Sequence, residues 1–219
     1  MKKALLILVL AMVVAGGVFA QTTKKDGLIT IGGGLSGVMP INRYELTIGG
    51  TTYVGDWNIG FGGGVNVFAD FKYAVLDVDL QFIGEKSGVD LGIFGNMENE
   101  TFSTNLLFSL KGKYPMTLDT EDGYVGVWYP YAGVDYRLGL SGSADGNDID
   151  SSDVGDTFNA LSIIVGAGAD MPINSTGLVF RMEIGIGYTF PTKWDTDQSG
   201  GFDVFKMKMP FKFGVGYTF

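Results

Sequence analysis

Along WNIGFGGGVNVFADFKY, residues 57–73, the odd positions carry Trp57, Ile59, Phe61, Gly63, Val65, Val67, Ala69, Phe71 and Tyr73. The even positions carry Asn58, Gly60, Gly62, Gly64, Asn66, Phe68, Asp70 and Lys72. One face is apolar and the other small or polar, with Phe68 out of pattern. Successive side chains of a strand point to opposite sides, so this alternation predicts a strand between two unlike environments. The same period recurs and predicts strands near 28–38, 57–72, 75–83, 101–114, 127–141, 158–171, 178–190 and 204–219. The sixth is the least regular, because Ile164 falls on its polar face.

The connectors alternate in length. Those after the first, third, fifth and seventh strands are long (40–56, 84–100, 142–157 and 191–203). Those after the second, fourth and sixth are 73–74, 115–126 and 172–177, mostly shorter. Long loops at one end and short turns at the other are the plan of a membrane barrel. The expected fold is therefore all-β, an eight-stranded antiparallel transmembrane β-barrel. Ten strands is the alternative, if YELTIGG and TTYVG within 40–56 form a further hairpin reaching the bilayer.

Periodicity does not say which face points inward, since a soluble barrel also alternates. The polar faces decide it. They are rich in glycine (Gly32, Gly34, Gly60, Gly62, Gly64, Gly166, Gly168, Gly185, Gly187, Gly214 and Gly216). Glycine weakens a strand without gain on a solvated outside, but makes room inside a narrow barrel. They also carry charge of both signs. The acids are Asp70, Asp77, Asp79, Asp135, Asp170 and Glu183; the bases are Lys72, Lys111, Arg137, Arg181, Lys206, Lys208 and Lys212. All thirteen are expected to face the lumen, where opposite charges pair as burial requires. Aromatic residues crowd the strand ends: Trp57, Tyr73, Phe102, Tyr114, Trp128, Tyr129, Tyr188, Phe190, Trp194, Phe205, Tyr217 and Phe219. They predict girdles at the two membrane interfaces.

Composition and the first twenty residues agree with export. Lys2 and Lys3 precede the apolar run ALLILVLAMVV, and Val18-Phe19-Ala20 ends it with a cleavage-type sequence. This is the pattern of a signal peptide over 1–20, cut between Ala20 and Gln21, with the barrel domain in 21–219. The chain has no Cys, so no disulfide braces it. Its net charge of −9 argues against nucleic acid as a partner. Hydrophobic residues make up 46% of the chain, spread over many short alternating segments rather than gathered in a membrane helix.

The last strand carries a resemblance. In FKFGVGYTF, Phe213, Val215, Tyr217 and Phe219 alternate with small or polar residues, and Phe219 closes the sequence. This resembles the C-terminal strand that the barrel assembly machinery reads in outer-membrane proteins. As architecture, the likeness to the small outer-membrane β-barrels of the OmpA, OmpX and OmpW group covers all of 21–219. It implies a bacterial outer-membrane location, outer-membrane lipid around the barrel, and the assembly machinery as a partner in biogenesis.

Three motifs invite chemistry. Gly32-Gly33-Gly34-Leu35-Ser36-Gly37 matches G-x-G-x-x-G, but Pro40 follows where a dinucleotide site needs a helix. Asp195-Thr196-Asp197-Gln198-Ser199-Gly200 resembles the start of a calcium loop, yet Lys206 stands where a bidentate Glu belongs. Asp145, Asp148, Asp150, Asp153 and Asp156 form an acidic loop with hard oxygen ligands suited to weak divalent-cation binding. The chain has no His and no nucleophile-elbow serine, and the pair Asp77 and Asp79 reads as a structural ion-pair site. No catalytic residue, cofactor or metal site is expected. The expected role is structural or surface-interacting; the alternative is a small OmpW-like channel passing small solutes, with the lumen's basic residues favouring anions.

Overall fold

A computed structural model describes residues 29–48, 51–90, 96–119, 125–173, 177–190 and 202–219. The signal segment, its cleavage point between Ala20 and Gln21, and the loop around Trp194 lie outside them. Eight long strands make the barrel: β1 Thr30–Ile48, β2 Phe61–Asp70, β3 Ala74–Asp90, β4 Asn96–Lys113, β5 Val125–Ala144, β6 Ala160–Ile173, β7 Leu178–Phe190 and β8 Phe202–Thr218. Each pairs antiparallel with the next. β8 then pairs with β1 from Thr30↔Thr218 to Leu46↔Phe202, so the sheet closes on itself. Closure leaves no open edge in lipid, which is the condition for a sheet to span a bilayer.

Register fixes the barrel's shape. Followed once around, it runs from Ile31 through Ala69, Leu76, Leu110, Val134, Ile163, Tyr188 and Met207 and returns to β1 at Ile41, ten residues on. A stagger of that size across eight strands about 4.8 Å apart corresponds to a strand tilt of about 40° and a backbone radius of about 8 Å. Side chains alone fill an interior that narrow.

The outer face is apolar all the way round. Leu35 is 65% exposed and Phe61 67%, and Val65, Leu76, Leu110, Ile163, Val165, Ile184 and Val215 are exposed on other strands. An apolar surface that encircles the molecule is a lipid-facing belt, since water would not tolerate it. Tyr73, Tyr114, Trp128 and Tyr217 are exposed at the short-turn end; Trp57, Phe102, Tyr188 and Phe190 are exposed at the long-loop end. Tyr129 does not belong to either girdle. It points inward and is completely buried.

Several strands outrun their sequence expectation. β1 continues to Ile48, β3 to Asp90, and β4 begins at Asn96. β3 and β4 stay paired out to Asp90↔Asn96, so much of the third connector is a continuous hairpin. The 40–56 segment does not add two barrel strands. Its first part extends β1, and Thr51–Val54 folds back on β1 beyond the barrel wall. The ten-strand alternative is therefore wrong, and the count is eight. Among the described residues no helix is long and apolar enough to cross a membrane. The one described helix, α1 (Val154–Phe158), lies in the loop between β5 and β6.

Candidate functional site: the ion-paired interior

Glycine and aromatic side chains share the inner face by size. Phe68, the residue out of pattern in the second strand, is buried in the lumen. A Cβ added at Gly32 would stand 2.4 Å from its ring, and one at Gly214 3.2 Å. Tyr129 and Tyr131 fill the space over Gly168 and Gly166 in the same way, with 2.6 and 2.5 Å to an added Cβ. Ile164 packs against this tyrosine pair. Both departures from alternation, Phe68 and Ile164, are thus interior residues. The G-x-G-x-x-G run lies in an unbroken strand, where Gly32 makes room for Phe68.

Nearest the short turns, Arg181 on β7 is the centre of the first charged tier. Its Nε donates to Asp170 Oδ1 at 2.7 Å and its Nη2 to Asp170 Oδ2 at 2.7 Å, a two-pronged pair across β6 and β7. Nη2 also donates to Asp70 on β2. Lys113 on β4 pairs with Asp70 as well, and lies 3.5 Å from Asp170. Aromatic faces complete the coordination: Lys113 Nζ is 4.1 Å from the Tyr129 ring centre and Arg181 Cζ 4.4 Å from that of Phe68. Rings carry negative charge on their faces, so they help hold cations removed from water.

A second tier lies at mid-height. Lys111 on β4 pairs with Asp77 at 2.7 Å and with Glu183 on β7. Tyr129 donates its hydroxyl to the other Glu183 oxygen at 3.0 Å, linking the two tiers. Lys212 on β8 pairs with Asp79 at 2.7 Å and Asp77 at 3.5 Å. Lys208 pairs with Asp135 at 2.8 Å slightly above. Lys111–Asp77 joins neighbouring strands, whereas Lys111–Glu183, Lys212–Asp79 and Lys208–Asp135 join strands that are not paired, so these cross the lumen and tie separate walls together. Buried charges are tolerated only with such compensation.

Toward the long loops the network thins. Glu85 accepts from Asn42 Nδ2 at 2.9 Å and lies 3.6 Å from Arg137. Arg137 Nε donates to the Phe158 carbonyl at 2.9 Å, tying α1 to the barrel. Val154 and Phe158 of α1 are buried against Gly139 and Gly142 of β5. A small cavity remains here, lined by Asn42, Gln81, Glu85, Arg137, Lys206 and Lys208 among others. It has room for about one water molecule.

Twelve of the thirteen charges assigned to the lumen lie on the inner face of a strand; Lys72 does not. It occupies the β2–β3 turn with a positive φ of 68°, is exposed, and lies against the Tyr73 ring. A two-residue step from Asp70 suggested the inner face, but the strand has already ended. Lys113, Glu85 and Tyr129 were missed, although all three keep the parity of their strands' inward residues. Lys113 follows Lys111 by two; Glu85 follows Gln81 by four but lies in a stretch that reads as loop; Tyr129 reads as a girdle residue by its aromatic type, against its parity. The outward stripe Phe213, Val215 and Tyr217 is exposed, and Phe219 is half-buried with its ring centre 4.7 Å from that of Tyr217.

In the acidic loop, the Asp156 side chain lies outside the described ones. Asp145 starts a tight turn with Gly146 and accepts the Glu100 amide at 2.9 Å. The Asp150 and Asp153 carbonyls accept the first amides of α1. Among the described residues no group of three acidic side chains could hold a metal ion. The calcium-like stretch 195–200 lies outside the described residues.

No protein-family model and no curated protein sequence matches the chain. Solved structures do. The outer membrane protein OprG from Pseudomonas aeruginosa is similar at a TM-score of 0.50 and 14% identity, over 87% of this chain and 95% of that one. Neisserial surface protein A gives 0.33 and 12% over 84% and 97%. Ail from Yersinia pestis, solved with a heparin analogue, gives 0.28 and 14% over 86% and 99%. At these identities the likeness concerns fold alone, and only the first is close enough to carry the comparison. With the closed register and the apolar belt, it shows that this chain has the fold of the small, eight-stranded outer-membrane β-barrels.

Proposed function

We propose that the protein is an integral barrel of the bacterial outer membrane with a closed interior and a structural or surface-directed role, without enzymatic activity. The observation that carries this reading is the pair of ion-paired tiers spanning the lumen. Asp70, Asp77, Asp79, Asp135, Asp170 and Glu183 each have a Lys or Arg partner. A carboxylate so neutralised is a poor general base, and the chain contains no His to take that part. A solute crossing the barrel would have to break both tiers and displace Tyr129. For the alternative of a small-solute channel, the described residues leave a cavity at the long-loop end and a smaller void beside Lys111, Tyr131 and Lys212, with no opening through the tiers between Arg181 and the short turns. The exposed stripe Phe213, Val215, Tyr217 gives the assembly machinery an outward surface to read during insertion. Outer-membrane lipid is the surrounding partner, and the long loops are the surface left for others.

The test is current through a planar bilayer containing the refolded protein, with folding established by a heat-dependent gel shift. A silent bilayer is the expected result. Reproducible unitary current steps from the folded protein would overturn the closed-interior reading in favour of a channel.

A further inference from the structure

The cavity at the long-loop end is unbalanced in charge. Three cations line it, Arg137, Lys206 and Lys208, against the single carboxylate of Glu85. Asp135 neutralises Lys208 from below, and Glu85 neutralises Arg137 from the side. No described carboxylate comes within salt-bridge distance of Lys206. Among the described side chains every other inward Lys or Arg has such a partner, so Lys206 is the departure. Glu85 attracts Lys206 across the cavity without contacting it and is shared with Arg137, so this half-buried ammonium is only partly compensated, which is costly, and a mobile anion would offset that cost.

The neutral lining is suited to the same guest. The Ser162 and Thr189 hydroxyls share one hydrogen bond at 3.0 Å, which leaves one hydroxyl hydrogen free to donate elsewhere. Asn42 gives one amide hydrogen to Glu85 and keeps the other. Gln81 adds a further amide to the wall. Val38, Ile83 and Leu107 close the remaining sides, and an apolar wall strengthens the field of the nearby charges.

We propose that this cavity is a binding site for a single small monovalent anion, with Lys206 as its principal counter-charge and the free hydroxyl and amide hydrogens as its donors. The site ends above the charged tiers, so the anion is held rather than conducted. The proposal concerns the cavity alone and stands whether or not the barrel below it passes current.

Chloride is the probe, and its NMR linewidth the measurement, with the protein folded in chloride-free micelles and titrated with sodium chloride. The expected result is excess broadening that saturates with chloride. It should fall at least tenfold in Lys206→Met, and in Lys206→Gln as a second neutral variant should the first not fold. Lys72→Met, at the opposite end of the barrel, should match the original chain. Absence of a saturable component, or equal broadening in a folded neutral variant at Lys206, overturns the proposal.

Discussion

At the scale of single residues, the interior is a fit of large rings over glycines and of cations between carboxylates. Gly168→Val places methyl groups where the Tyr129 ring lies, and a Cβ alone would stand 2.6 Å from it. Overpacking of this kind costs about 1–3 kcal/mol or more. Gly112→Ala is the contrast, because its nearest neighbour would be 3.9 Å away and folding should be unaffected. Urea titration of refolding in lipid vesicles, read by gel shift, separates the two. Arg181→Met leaves Asp70 and Asp170 with Lys113 as their one remaining cation and should cost about 3–5 kcal/mol in the same titration. Adding Asp70→Asn should restore part of the loss, whereas purely additive losses would deny the coupling. Lys72→Ala should change stability by less than about 0.5 kcal/mol, as for an exposed turn residue. Sequence parity alone places Lys113 and Tyr129 inward. It does not explain Phe68 or Ile164, whose room comes from glycines and rings on other strands. That information is non-local, so no reading of one strand contains it.

At the scale of elements, alternation was most legible where lipid lies on one side and the plug on the other. β7 shows this best: Leu178, Ile184, Ile186 and Tyr188 face out while Arg181, Glu183 and Thr189 are buried. Beyond the rim both faces of a strand are wet, and the contrast fades. GEKSGVD, 84–90, reads as loop because glycines and charges interrupt the apolar alternation, yet it continues β3 in register with β4. The same fading hid the upper half of β1. A charge in the belt should be penalised by depth. Ile186→Arg should lower the free energy of folding into vesicles by about 2–4 kcal/mol, the cost of a mid-bilayer arginine on a barrel wall. A loss below half a kcal/mol would place Ile186 outside the hydrocarbon. The loop element α1 is held by Phe158 and Val154 over glycines of β5 and by the Arg137 bond. Phe158→Ser should therefore speed protease cleavage within 145–159 while leaving the heat-dependent gel shift in place. Unchanged cleavage would mean that Phe158 does not anchor the loop.

At the scale of the whole molecule, strand number, stagger and interior volume agree with one another. Eight strands staggered by ten residues enclose a lumen that side chains can fill, and here they fill it with ion pairs and tyrosines. The class of the fold was legible because the polar faces combine glycine with opposed charges, which suits an inside and not an outside. Which charges pair was not legible, since even neighbours such as Asp170 and Arg181 depend on register and the other partners, such as Lys212 and Asp79, meet across the barrel. The account rests on one arrangement, an apolar face in lipid and an ion-paired face within. The chain has no native Cys, so single cysteines can carry nitroxide labels along β3 without background. Electron paramagnetic resonance in lipid vesicles then reads collision with oxygen, which concentrates in the bilayer. Labels at Leu76, Val78, Leu80 and Phe82 should collide readily with oxygen, and those at Asp77, Asp79 and Gln81 should be shielded, giving a period of two. The opposite phase, or no alternation at all in the folded protein, would contradict the account.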